Sequence, residues 1–195
     1  MKNKKLLRNF YTRDTLIVAK ELLGKYIVRK TEKGKLIGKI IETEAYIGPQ
    51  DKASHAYKGK RTARNEVEYL TGGHIYIYLV YGMYWQLNIT TAGAGEPECV
   101  LIRAIEPIFN DYKNPKSQNL KYINSLTNGP GKLCRWLNLD KSFYGEDLTK
   151  SKRIWLEDRK ADVEPFQIIA TGRIGIDYAG PYWSRRKWRF LYKRK

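Results

Sequence analysis

Four strongly β-prone runs, joined in pairs by turns too short to hold a helix, most constrain what this chain can fold into. Tyr26–Arg29 and Leu36–Tyr46 flank a polar turn around Glu32–Gly34, while Ile75–Val80 and Met83–Thr90 are separated only by Tyr81 and Gly82. The first pair reads as a hairpin and the second as a hairpin or a sharply bent strand, with Tyr81 at its tip. Val100–Ile105 has the pattern of a buried strand that Pro107 ends, and Ile154–Leu156 and Phe166–Ile176 supply further strands. Helical signals are fewer. Thr12 or Asp14 can cap a segment carrying Leu16, Ile17, Ala19, Leu22 and Leu23, with Gly24 to stop it, and Pro130 opens another through Lys132, Leu133, Trp136 and Leu137. Strands and helices mix without a βαβ alternation, which predicts the α+β class. The 195 residues fit a single domain spanning 1–195, with no repeat, linker or composition break, and Asn110–Asn124 is the least patterned stretch.

Thirty-seven Lys and Arg against 20 Asp and Glu leave a net charge of +17. A field of that sign recruits polyanions, so nucleic acid heads the expected partners. The basic residues are spread along the chain rather than aligned on one amphipathic helix, which argues against a membrane surface. No apolar run approaches the roughly 20 residues that span a bilayer. Met1–Arg8 leads into Asn9, Phe10 and Tyr11 rather than an apolar signal core, and Cys99 and Cys134 are the only cysteines. Neither an export signal, a disulfide framework nor a cysteine-ligated metal is therefore expected, and the expected setting is intracellular: cytoplasm and nucleoid, or the nucleus.

In Ile41-Glu42-Thr43-Glu44-Ala45-Tyr46 two carboxylates, two residues apart, share one face of an otherwise apolar strand. At least one of them needs a partner, which solvent or the abundant Lys and Arg could supply. The following Gly48–Lys60 has Pro, Asp, Ser and two Gly without an apolar period, and reads as a loop that carries function. Fifteen tyrosines stock the chain with flat surfaces on which an unstacked base gains about 1–3 kcal/mol. For Tyr76 and Tyr84 sheet packing is the expected use, and His74 reads as a loop residue.

This pattern resembles the alkyladenine (3-methyladenine) DNA glycosylases of base-excision repair. The likeness runs through Glu42-Thr43-Glu44-Ala45-Tyr46-Ile47-Gly48-Pro49, Asp51, His55, Arg64-Asn65, Tyr76-Ile77-Tyr78, Tyr81-Gly82-Met83-Tyr84, Asn88-Ile89 and Arg103-Ala104. It continues through Gly129-Pro130, Lys132-Leu133-Cys134, Lys141-Ser142-Phe143, Arg173-Ile174-Gly175 and Ala179-Gly180, so it covers nearly the whole chain. Two departures lie at loops: the 92–98 connection is longer than in vertebrate members, and Ala63 stands where Pro is expected.

The resemblance implies a mixed fold around a curved antiparallel sheet from which the Tyr81 hairpin protrudes, flanked by helices. It implies that Glu44 is the general base for a water attacking the sugar C1′ of a flipped nucleotide, and that Arg103 helps to hold that water. Tyr46 and His55 would sandwich the extruded base, with Tyr78 at its edge. Asn88 would crowd the purine edge where guanine carries its amino group, although a strand-end Asn bonded to backbone reads equally well. Tyr81, with Met83 beside it, would fill the gap left in the duplex, and Arg64, Lys132 and Lys141 would meet the DNA backbone. The implied substrate is double-stranded DNA containing alkylated or deaminated purines: 3-methyladenine, 7-methylguanine, hypoxanthine or ethenoadenine. The product is an abasic site, and the implied enzyme is a monomer with no metal, no organic cofactor and no obligate protein partner. From the residues alone two other readings stay open: a glycosylase-lyase with a lysine nucleophile, and a non-catalytic nucleic-acid-binding module. Glu44 with Arg103 speaks against the second, since a polyanion binder gains nothing from a carboxylate among its aromatics.

Overall fold

A computed structural model describes residues 4–108, 125–159, 163 and 165–193. In chain order the elements are β1 (Lys4–Lys5), α1 (Arg8–Tyr11), α2 (Thr15–Glu21), β2 (Tyr26–Thr31), β3 (Gly34–Ile47), β4 (Ile75–Val80), β5 (Tyr84–Thr90) and β6 (Glu98–Ile108). They continue with α3 (Pro130–Trp136), β7 (Ile154–Asp158), β8 (Ile168–Thr171), α4 (Pro181–Ser184) and β9 (Arg189–Tyr192). The described strands pair antiparallel into one sheet ordered β1-β7-β2-β3-β6-β5-β4, with β9 beside β3 and β8 beyond β9. This is the expected α+β architecture.

Strand β3 is the spine. Its first half pairs with β2 across the Glu32–Lys33 turn, its second half pairs with β9 at Glu42–Glu44, and β6 runs along its other edge. Both helices that flank the sheet start where the sequence signals place them. The Asp14 side chain accepts from the Ile17 N–H to cap α2, and Pro130 stands in the first turn of α3. Val18 and Ala19 of α2, followed by Leu22 and Leu23, bury against the sheet with Ile27, Ile40 and Ile102. Each Val, Leu or Ile side chain among them contributes about 1.5–3 kcal/mol on burial.

Several expectations need correction. Ile17 lies on the outer side of α2 and is 46% exposed, because the cap turns that position toward solvent while Val18 and Ala19 take the core. Pro107 does not end β6, which continues to Ile108. Among the described residues β6 is flanked there by β3 alone, since β5 reaches no further than Leu101, and the missing proline N–H can face the other side. Phe166–Ile176 is not one strand: β8 stops at Thr171, and 172–176 leave the sheet as a loop. The second hairpin is a true hairpin, with β5 starting at Tyr84 rather than Met83. Tyr84, expected to pack, is 41% exposed, whereas Tyr76 is buried as expected. His74 is held in a bridge to Asp147 and is part-buried. The 110–124 stretch lies outside the described residues.

Candidate active site

The pairing of β3 with β6 slips at Ile40/Glu42 and again at Glu42/Thr43, leaving Ile41 and Arg103 without a directly opposite residue. Thr43 points to the helix side, where its Oγ1 donates to Ala19 O at 2.8 Å. Glu42, Glu44 and Tyr46 therefore share the other side, and Arg103 reaches both carboxylates: Nε lies 2.9 Å from Glu42 Oε1 and Nη1 lies 3.4 Å from Glu44 Oε1. Glu42 is also held by Arg189 Nε at 2.6 Å, which makes it an ion-paired structural carboxylate.

Glu44 differs. It is fully buried, accepts from the Tyr46 hydroxyl at 2.9 Å and from the Ile174 N–H at 2.9 Å, and has only the longer contact to Arg103. Burial raises its carboxyl above the usual range, with Glu42 adding to the rise; Arg103, Ile174 and Tyr46 oppose it. This carboxylate sits directly behind the wall of a cavity of about 520 Å³. Tyr46, Arg103 and Ile174, its three partners, all line that cavity, while Glu44 itself does not.

The aromatic wall comes from three elements. Tyr76 and Tyr78 project from β4 with ring centroids 5.0 Å apart, and His55 from the 48–60 loop stands edge-on to Tyr78 at 4.8 Å. His55 Nδ1 and the Tyr76 hydroxyl are 2.6 Å apart and share a hydrogen bond. Although exposed at the mouth, the imidazole is pushed down to about 4 by desolvation and by Arg64 and Lys60, so it is neutral at physiological pH. Tyr178 closes the opposite side, its hydroxyl donating to Ala53 O at 3.2 Å.

The 48–60 loop is tied down by a buried pair that sequence reasoning did not identify. Asp51 accepts from Arg173 Nη1 at 2.5 Å and Nη2 at 2.9 Å, with both side chains fully buried. Arg173 also donates to Ala45 O and lies over the rings of Tyr46 and Trp188. It thereby joins β3, the 48–60 loop and the 172–176 loop beneath the cavity. The resemblance had covered Asp51 and Arg173, but nothing in their spacing joins residues 122 positions apart.

The remaining expected residues fall into place unevenly. Asn88 is buried in the cavity wall with its Nδ2 donating to Tyr76 O and Gln86 O, so it is both backbone-bonded and pocket-lining. Arg64 reaches Leu79 O at 3.1 Å and covers the Tyr78 ring at the cavity edge. Lys141 shares a second groove with Arg64, Tyr78 and Tyr144. Lys132 is exposed on α3, where its amine donates to Asn128, and lines neither cavity.

Tyr81 stands at the hairpin tip at the cavity rim, 86% exposed, and Met83 just beyond it is 62% exposed. Tyr81 and Gly82 both have positive φ, +52° and +68°, and the Met83 N–H closes the turn on Val80 O. Glycine adopts that conformation without penalty, whereas a tyrosine there costs about 1–2 kcal/mol. Among the described residues no group of His, Cys, Asp and Glu side chains converges as a metal would require.

The match to known proteins is extensive. Residues 9–195 fit the family model described as Methylpurine-DNA glycosylase (MPG). A protein of Clostridium novyi (strain NT), provisionally named a 3-methyladenine DNA glycosylase, is 48% identical over 97% of this chain and 96% of its own length. One of Natranaerobius thermophilus with the same provisional name is 46% identical over 97% and 96%, and one of Desulfitobacterium hafniense (strain Y51) is 49% identical over 90% and 89%. These matches define the class as a base-excising DNA-repair enzyme, a monofunctional glycosylase. The chain belongs to the methylpurine-DNA glycosylase family.

Proposed function

We propose that this protein extrudes an alkylated or deaminated purine nucleotide from duplex DNA into the 520 Å³ cavity and hydrolyses its N-glycosylic bond with Glu44 as base. The observation that carries this reading is a buried carboxylate with raised proton affinity placed one hydrogen bond behind an aromatic pocket. Water admitted beside Arg103 would meet that carboxylate. As the C1′–N bond breaks, its electron pair leaves with the purine and the sugar develops oxocarbenium character. Glu44 takes the proton of the attacking water, and its charge stabilises the sugar. Arg103 is placed to hold the water, and its bond to Glu42 fixes its guanidinium.

Tyr46, His55 and Tyr78 supply electron-rich faces, which attract a base made cationic by ring alkylation by about 0.5–2 kcal/mol. A neutral His55 suits this better than an imidazolium, which would repel such a base. The substrate range under this reading includes 3-methyladenine, 7-methylguanine, hypoxanthine and ethenoadenine, with Asn88 opposing the guanine amino group. Among the described residues no lysine lines the cavity, which favours hydrolysis over a lysine-dependent lyase. A monomer acting on duplex DNA inside the cell is part of this reading. The decisive assay incubates the protein with duplexes holding each lesion and detects free base; borohydride trapping of a covalent protein–DNA adduct would overturn the hydrolytic mechanism.

The strained tip has an expected consequence of its own. A base extruded from the duplex leaves a gap, and a rigid exposed ring on a narrow hairpin can enter it from the minor groove. Tyr81→Asn, which suits a turn with positive φ, is expected to leave thermal stability equal or slightly higher while slowing excision of stably paired lesions. Mismatched targets, which unstack readily, should be slowed least. Unchanged excision of a paired lesion would exclude the wedge role.

Charge gives a further expectation. Affinity for undamaged duplex should fall with log salt at a slope of about −0.9 per phosphate neutralised, and Lys132→Ala should flatten that slope by about one contact. A slope indifferent to Lys132 would remove that residue from the DNA surface.

A further inference from the structure

One cavity-lining group has no part in the chemistry above. Glu68 belongs to the short helical turn Glu66–Tyr69 and lines the cavity together with Tyr76, Tyr78, Asn88 and Cys99, at 1% exposure. Its Oε1 accepts from the Cys99 thiol at 3.4 Å, whereas its Oε2 is buried without any hydrogen-bond partner. Unlike Glu42, it forms no ion pair with a described residue. A methionine or leucine would fill the same space without the cost of burying a half-satisfied carboxyl, which several kcal/mol of lost solvation makes unfavourable. Oxygen atoms left short of partners in a binding cavity mark where a ligand supplies the missing donor.

We infer that Glu68 meets the edge of the extruded base and selects for cationic N-alkylated purines over neutral ones, a reading that rests on the cavity being the base pocket. The carboxylate accepts a hydrogen bond from an amino or ring N–H and balances the base's positive charge in a site whose other walls are aromatic. In its protonated form it becomes a donor and suits the carbonyl oxygen of a neutral deaminated purine instead. Burial pushes the carboxyl up to about 7, against the opposing effects of Cys99 and Asn65. The other titratable groups facing it are Tyr76 and Tyr78 of β4, Tyr69 of its own turn and Tyr144. Their phenols stay protonated, as does the buried Cys99 thiol, so Glu68 changes charge alone near neutrality. Selectivity for the cationic base should therefore rise with pH as Glu68 ionises.

The test measures single-turnover release of 3-methyladenine from methylated duplex DNA and of hypoxanthine from a duplex with one deaminated adenine, across neutral pH. Wild type, Glu68→Gln and Glu68→Met are compared, the last refilling the space with an apolar chain of similar volume. In wild type the ratio of 3-methyladenine to hypoxanthine release should rise through about pH 7. In both variants it should be flat; above pH 7 their 3-methyladenine release should be lowered by roughly 10- to 100-fold, the worth of a lost charge-assisted hydrogen bond, with hypoxanthine release within about threefold of wild type. An equal loss on both bases, or an unchanged ratio and pH profile, overturns the inference and leaves the glycosylase reading standing. If wild type does not release hypoxanthine, the size of the loss above pH 7 decides: 3-methyladenine release within about threefold of wild type in both Glu68→Gln and Glu68→Met overturns the assignment. Wild type releasing neither base overturns the glycosylase reading itself, and this inference with it.

Discussion

Glu44→Gln is expected to lower single-turnover excision by a factor of roughly 10² to 10⁴, the worth of a positioned general base, while lesion-DNA affinity stays within about tenfold. The amide keeps the shape: its oxygen can still accept from the Ile174 N–H while its NH2 donates to the Tyr46 hydroxyl oxygen, so the loss falls on proton transfer and on the negative charge beneath the sugar. Because burial raises the Glu44 carboxyl, wild-type excision of every base should climb with pH through a value above the ordinary carboxylate range, and the Gln variant should show no such climb. That common limb differs from the effect assigned to Glu68, which changes the ratio between bases. Stability moves the other way. The folded protein holds the Glu44 proton over a window in which the unfolded chain has released it, so stability is lost as pH rises from the ordinary value through the raised one. Glu44→Gln should accordingly melt no lower than wild type above that window. Near-normal excision by the variant would remove Glu44 from the chemistry.

Asp51→Ala is expected to cost about 3–5 kcal/mol of stability, the range for stripping one partner from a buried ion pair. Arg173 would be left as an uncompensated cation among Tyr46, Trp188 and the Ala45 carbonyl, none of which can neutralise it. The Ala53 N–H would lose its acceptor as well. For a chain of this size the loss corresponds to a fall in melting temperature of roughly 6–20 °C. Urea unfolding should show a lower midpoint with an unchanged slope. Excision should fall alongside, since Arg173 seats Tyr46 on one side and leads directly into Ile174, the donor to Glu44, on the other. A loss below about 1 kcal/mol would mean that water enters and solvates the pair.

What the sequence reveals divides along contact range. The Tyr81 tip is readable because turn chemistry and β propensity act over a few residues, and the shared face of Glu42 and Glu44 follows from strand periodicity alone. Which of the two carboxylates is neutralised is not local information. Glu42 finds Arg189 across 147 positions, through a four-residue strand, Arg189–Tyr192, that no local periodicity announces. The break in Phe166–Ile176 is hidden for a related reason: Arg173 leaves the sheet to reach Asp51, and no propensity encodes that pull. Pro107 misleads in the opposite direction: proline breaks a strand that is paired on both edges, whereas β6 at that point has β3 alone beside it among the described residues. Glu68 sits in an otherwise ordinary turn, and only the cavity reveals what its carboxyl faces.

The pairing of β9 with β3 also sets an order of events during synthesis. The β4–β5 hairpin closes on contacts within residues 75–90 and can form as soon as they leave the ribosome, whereas the Arg189 clasp on Glu42 and the Trp188 carbonyl that anchors Ala45 come about a hundred residues later. At roughly 5–20 residues per second that is a delay of several seconds. A nascent chain thus carries its exposed Tyr81 tip well before its acidic floor is braced, and a ribosome stalled short of Trp188 leaves a product with the hairpin formed but the carboxylate site unfinished.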